Sequence, residues 1–69
     1  MKISARNQLK GTVKQIVDGA VNCEVTVALG DGQEVVSVIT KSAVERLKLK
    51  VGAPVCAIVK ASSVMLGAD

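Results

Sequence analysis

VNCEVTVALGDGQEVVSVIT, residues 21–40, decides the fold. Val21, Cys23, Val25, Val27 and Leu29 alternate with Asn22, Glu24, Thr26 and Ala28. Successive side chains of an extended chain point to opposite faces, so this period of two predicts a strand with one apolar face. Gly30-Asp31-Gly32 follows as a hairpin turn signal. Residues 34–40 then read as the next strand. It is apolar on both faces in part, through Val35, Val36, Val38 and Ile39, so both faces are expected to be covered.

Toward the N-terminus, Asp18-Gly19 is a second turn signal. Before it, Leu9, Gly11 and Val13 alternate with Lys10, Thr12 and Lys14. The phase slips at Gln15-Ile16-Val17, which predicts a bulge or a bend. Toward the C-terminus the period changes. Val44 and Leu47 stand three apart among Glu45, Arg46 and Lys48, which predicts a short helix within residues 40–49. Thr40 can cap it, or Ser42 with Glu45 can form a capping box. Val51-Gly52-Ala53-Pro54 ends this region, and Pro54 suits a strand start. Residues 55–60 are a fourth strand, Ala61-Ser62-Ser63 a polar break, and Val64-Met65-Leu66 a short last strand. The expected fold is all-β: a five-stranded barrel of the oligonucleotide/oligosaccharide-binding (OB) type, with one short helix between strands 3 and 4. Residues 1–69 read as a single domain without linker or repeat.

A chain of 69 residues buries only about 60% of the surface that it exposes when unfolded. It has no Phe, Tyr or Trp, yet 49% of its residues are hydrophobic. That is much apolar surface for so small an interior, and burial between copies of the chain resolves it. Cys23 and Cys56 lie far apart in apolar runs, which favours two buried free thiols over a disulfide. With no His and no Cys-x-x-Cys, a zinc or copper site has almost no ligands. The first residues carry no signal peptide, and no apolar run approaches the roughly 20 residues of a membrane span. The expectation is a cytoplasmic protein. The net charge of +3 fits either nucleic acid or a small anion.

An enzyme reading is weak. There is no His, no carboxylate pair stands out, and the Ser and Thr hydroxyls lack a visible activating partner. A single-strand nucleic-acid reading is also weak, because such sites stack bases on aromatic side chains and the basic residues form no run. A small anion fits better. Ser4-Ala5-Arg6-Asn7 offers a hydroxyl, a guanidinium and an amide, and Arg can grip an oxyanion with two parallel N–H bonds. Thr40-Lys41-Ser42-Ala43 lies at a helix start, where free backbone N–H groups favour an anion. Lys60-Ala61-Ser62-Ser63 adds an ammonium and hydroxyls at a strand end. Singly, each has a commoner role: a turn residue at Ser4 or Asn7, a surface charge at Arg6, a cap at Thr40, a guarded sheet edge at Lys60.

The stretch Ser4-Ala5-Arg6-Asn7-Gln8-Leu9-Lys10-Gly11 resembles the opening of the molbindin (Mop) family of molybdate-binding proteins. Ala57-Ile58-Val59-Lys60-Ala61-Ser62-Ser63-Val64-Met65 is similar to the family's second signature. Val38-Ile39-Thr40 and Val51-Gly52-Ala53-Pro54-Val55 match between them, so the resemblance covers essentially the whole chain. It implies an OB-like barrel and a homohexamer, a trimer of dimers, with molybdate bound between subunits. Ser4 and Arg6, with the backbone around Ala5, would form one side of the site. Lys60 would match the family's lysine, and Thr40 the hydroxyl at the helix start. Ala43 could give only its N–H, and Ser42 could substitute for the hydroxyl that relatives carry there. A second type of site at subunit junctions is implied without residues assigned to it.

The chemistry agrees with that assignment. Molybdate is a tetrahedral dianion with four acceptor oxygens and no proton at neutral pH. Donors alone complement it, whereas hydrogen phosphate carries a proton that such a site leaves unpaired. Sulfate must be excluded by size; tungstate, nearly the size of molybdate, should bind as well. Charge-assisted bonds worth ~1.5–3 kcal/mol each can together reach the ~8 kcal/mol of a micromolar site. The expected role is storage or homeostasis of molybdenum without a catalytic step. The alternatives are a molybdate-sensing regulatory module acting through a protein partner and, further off, an OB-type nucleic-acid binder. A DNA-binding segment or an ATPase domain does not fit in 69 residues. Neither a membrane nor a nucleic-acid partner is expected.

Overall fold

A computed structural model describes the chain from Met1 to Asp69. Three long strands come first: β1 (Asn7–Asp18), β2 (Asn22–Gly30) and β3 (Gln33–Thr40). The helix α1 (Lys41–Arg46) and the strand β4 (Pro54–Val59) follow, and then a single 3₁₀ turn at Ala61–Ser63. The sheet order is β3-β2-β1-β4, antiparallel throughout. β1 is therefore shared: its first half pairs with β4 and its second half with β2.

That sharing depends on two local features. The β1–β2 register slips between Val13 and Gln15, so Lys14 is an extra residue and the strand bends there. The bulge sits one residue before the phase slip visible in the sequence. Gly11 lies where the curling strand passes closest to β2. A Cβ on it would stand 2.4 Å from the Ala28 carbonyl oxygen, so only glycine fits. The loop before β4 is tied to the bulge by two backbone bonds, Val13 N–H to Ala53 O at 2.9 Å and Gly52 N–H to Val13 O at 2.8 Å.

The inner face carries the core. Val13, Cys23, Val25 and Val27 are the four buried residues. Ile16, Leu29, Ile39, Val44, Leu49, Ala53 and Val55 pack around the valines, partly covered. Each fully buried valine contributes roughly 1.5–2 kcal/mol, so this core alone is thin. The Cys23 S–H donates to Asp18 Oδ1 at 3.3 Å. Burial pushes this thiol up from its ordinary pKa, and the bond to Asp18 adds to that. Both cysteines are free; Cys56 is only half-buried.

Helix α1 is short but well closed. Thr40 caps it, its Oγ1 accepting the Ala43 N–H at 3.1 Å, so the Ser42–Glu45 alternative is not the one used. At the far end Lys48 takes a left-handed φ of 54°. Its N–H donates to Glu45 O at 3.1 Å, and the Leu49 N–H to Val44 O at 3.0 Å. This is a Schellman closure. Its apolar contact is made by Val44 and Leu49, which both pack on the core. Lysine stands at the position where glycine is usual.

Two expectations are corrected. The fifth strand does not form, and the sheet is a curled four-stranded half-barrel. The 3₁₀ turn, with Ser63 N–H on Lys60 O at 2.8 Å, turns the chain off the β4 line. Val64, Met65 and Leu66 are then 47%, 91% and 96% exposed. A strand needs an edge to pair with, and this tail reaches none within its own chain. Nor are both faces of β3 covered: Val35 and Ile39 turn inward, while Val36 and Val38 stay open. The missing strand leaves an apolar groove of about 300 Å³ between the free edges, lined by Val25, Val27, Val35, Ile39, Val55 and Val59 among others. No helix is long and apolar enough to cross a membrane.

Candidate functional site

A second, wider cavity lies at the start of β1 and the end of β4. Ser4, Ala5, Arg6, Ile58, Lys60, Ala61 and Ser62 line it. Pairing of Asn7 with Val59 explains the meeting of two segments more than fifty positions apart in the chain. Carried one residue further, that register sets Arg6 across from Lys60. The first and third donor segments read from the sequence thus share one cavity.

The cavity is lined by donors. No carboxylate borders it, and the single ion pair in the chain, Lys14 with Glu34, lies elsewhere. Arg6 and Lys60 are both exposed and have no acidic partner. The carbonyl of Ala5, a lining residue, takes a bond from Gln8 Nε2 at 3.0 Å. That bond also pins the segment carrying Ser4 and Arg6 to the start of β1. Sequence reasoning did not single out Gln8; a polar residue three positions after Ala5 was the available signal. Ser62 joins the lining from the polar break after Lys60, and Ile58 supplies an apolar wall shared with the groove.

Thr40, Ser42 and Ala43 lie apart from this cavity. They sit at the end of β3, the opposite sheet edge from β4. Thr40 Oγ1 is 3.2 Å from Ser42 Oγ, so two hydroxyls are held together in the open. The Ala43 N–H, expected to be free for an anion, is occupied by the Thr40 cap. One chain therefore presents two donor clusters, at opposite edges of the sheet. No group of three or more His, Cys, Asp or Glu gathers to hold a metal cation.

Known proteins share this sequence and this fold. Residues 3–66 match the TOBE domain. Over all 69 residues the chain is 49% identical to the whole of a probable molybdenum-pterin-binding protein of Haemophilus influenzae. The solved molybdate-binding protein of Sporomusa ovata superposes with a TM-score of 0.91 at 41% identity, covering 99% of this chain and all of that one. The cytoplasmic molybdate-binding protein ModG, solved with molybdate bound, superposes with a TM-score of 0.94 at 55% identity. It covers this chain fully, and the match spans 49% of ModG. Matched along nearly its whole length by the domain and by full-length relatives, the chain belongs to the TOBE-domain family, among its molbindin (Mop) members.

Proposed function

We propose that this protein binds molybdate, and tungstate with it, to store molybdenum and buffer its supply in the cytoplasm, with no catalytic step. The observation that carries the reading is the cavity of Ser4, Arg6, Lys60 and Ser62, whose neighbouring carbonyl on Ala5 is already bonded. Such a site offers N–H and O–H groups to four acceptor oxygens and has no carboxylate to receive the proton of a protonated ligand. The likeness to proteins described as molybdate-binding supports the choice of ion. Residues 1–69 act as one unit in this reading.

The ion sits between copies of the chain. Arg6 and Lys60 grip it from one copy, while the Thr40 and Ser42 hydroxyls approach from another. Two features favour assembly: the separation of the donor clusters to opposite sheet edges, and the groove left open beside an exposed apolar tail. A second copy's Val64-Met65-Leu66 supplies the strand that the groove lacks. A hexamer built as a trimer of dimers satisfies both needs. A regulatory module that reports molybdate to a protein partner is the second reading, since these same open surfaces serve it.

Titration calorimetry with molybdate, sulfate and phosphate, run beside native mass measurement, tests the proposal. Tight molybdate binding with weak sulfate binding, on an assembly several times the monomer mass, supports it. No heat with molybdate on folded protein overturns it. Arg6→Ala binding molybdate as the wild type does would remove Arg6 from the site.

A further inference from the structure

The charges of this chain are segregated. Residues 15–40 hold four acids, Asp18, Glu24, Asp31 and Glu34, and no Lys or Arg. Residues 41–50 hold Lys41, Arg46, Lys48 and Lys50 against Glu45 alone. Folding neutralises little of this, because the only ion pair is Lys14 with Glu34.

Each charged region also exposes apolar side chains. On the sheet face turned away from the core, Val17 pairs across to Glu24 and Glu24 to Val38. Val36 stands in the next row of that face, opposite Thr26. The three valines are 50%, 66% and 58% exposed in the order Val17, Val38, Val36. Glu24 is thus an unpaired carboxylate framed by open valines. The turn after α1 is its complement: Lys48 and Lys50 are exposed between Leu47 at 62% and Val51 at 65%. Lys48 holds a left-handed φ of 54°, a conformation that costs a non-glycine residue roughly 1 kcal/mol. A lysine kept at that cost points to a use for its side chain.

We propose that these two surfaces bind each other between copies, the Glu24 face of one chain docking on the Lys48 turn of the next. The contact rests on the self-assembly proposed above but is distinct from closure of the groove. Opposite charge sets its register, and apolar burial of Val17 and Val38 against Val51 gives it strength, while Val36 and Leu47 also border the groove. Both surfaces belong to one chain yet face different ways, one away from the core and one at the rim near the groove. Within the chain no ion pair joins them, the only one being Lys14 with Glu34. A contact between two different patches is head-to-tail, and it propagates until a ring closes. Groove closure makes pairs; this contact joins the pairs.

Native mass measured at low and high salt tests it, on wild type, Glu24→Lys, Lys48→Glu and the double variant Glu24→Lys with Lys48→Glu. Both positions are exposed, and thermal melts confirm that the variants fold. The proposal expects an assembly larger than a dimer that loosens with salt. Each single reversal should weaken it on the order of tenfold, leaving dimers, and the double reversal should recover most of the loss. A wild type that stops at dimers, or single variants that assemble as wild type does, overturns this contact and leaves the groove reading standing. So does a double variant that loses as much as the two singles together. A wild-type monomer at every concentration overturns both.

Discussion

Thr40→Asp separates two roles that one side chain holds in this structure. The Thr40 hydroxyl oxygen accepts the Ala43 N–H at 3.1 Å and so caps α1. In the proposed site, its hydrogen also faces a molybdate oxygen. Aspartate caps at least as well as threonine, and a negative charge at a helix start is stabilising by ~0.3–1 kcal/mol. Folding should therefore be unchanged or slightly improved. Binding should suffer. Two unit charges about 4 Å apart repel by ~1 kcal/mol in water and ~4 kcal/mol near a protein surface, and molybdate carries two. Even the lower figure, doubled, weakens affinity about thirtyfold at ~1.4 kcal/mol per factor of ten. Thr40→Ala should do the reverse, losing ~1 kcal/mol of stability with the cap and only a modest part of the affinity. Calorimetric titration with molybdate beside urea unfolding reads both effects. Undiminished molybdate affinity in a stably folded Thr40→Asp would place the anion away from Thr40.

Lys48→Gly should raise stability by ~0.5–1 kcal/mol, because glycine takes the left-handed closure of α1 without strain; a lower urea midpoint would refute the strain. Gly11→Ala should cost at least ~1–3 kcal/mol, since its Cβ would meet the Ala28 carbonyl at 2.4 Å and a backbone atom cannot swing aside; an unchanged melting temperature would contradict this. Cys23 makes stability pH-dependent on the alkaline side. Burial and then Asp18 hold its thiol above the ordinary value of 9.0, so the unfolded chain loses the proton first. Its contribution is intact below 9.0 and falls as pH rises through the native value. Cys23→Ala should flatten that fall, and a thiol reagent should label half-buried Cys56 before Cys23.

The strands and the helix were legible because their causes are local. Alternation along Cys23, Val25 and Val27 marks a face that is buried, and Asp18-Gly19 and Gly30-Asp31-Gly32 end strands where backbone direction reverses. The bulge was visible within one residue, since the slip in pattern trails the extra residue that causes it. The fifth strand was misread because Val64-Met65-Leu66 has strand composition, but pairing is a property of the edge it meets. Val36 and Val38 misled in the same way: they were read as covered from hydrophobicity alone, and within this chain they are 58% and 66% exposed. In the cavity, Ser4, Arg6 and Lys60 were found by residue type and resemblance. Gln8 was not, because its amide acts through a bond to the Ala5 backbone. The distance of Thr40 from Lys60 across the sheet is a matter of strand order, which spacing along the chain does not encode.

The groove left by the missing strand makes dilution a chemical variable. In the assembly proposed above, half of each barrel's closure comes from a neighbour, so every tenfold drop in protein concentration removes about 1.4 kcal/mol from the association that completes it. A newly made copy at low abundance carries two bare sheet edges and an oily seam, the features that proteases and aggregates exploit. An oxyanion held at the junction pushes the same balance the other way, because whatever tightens its grip on joined copies must favour their joining equally. Scarcity of the ion would then thin the population of intact assemblies, and plenty would preserve it. The protein's lifetime would follow the supply of its cargo without any separate sensor.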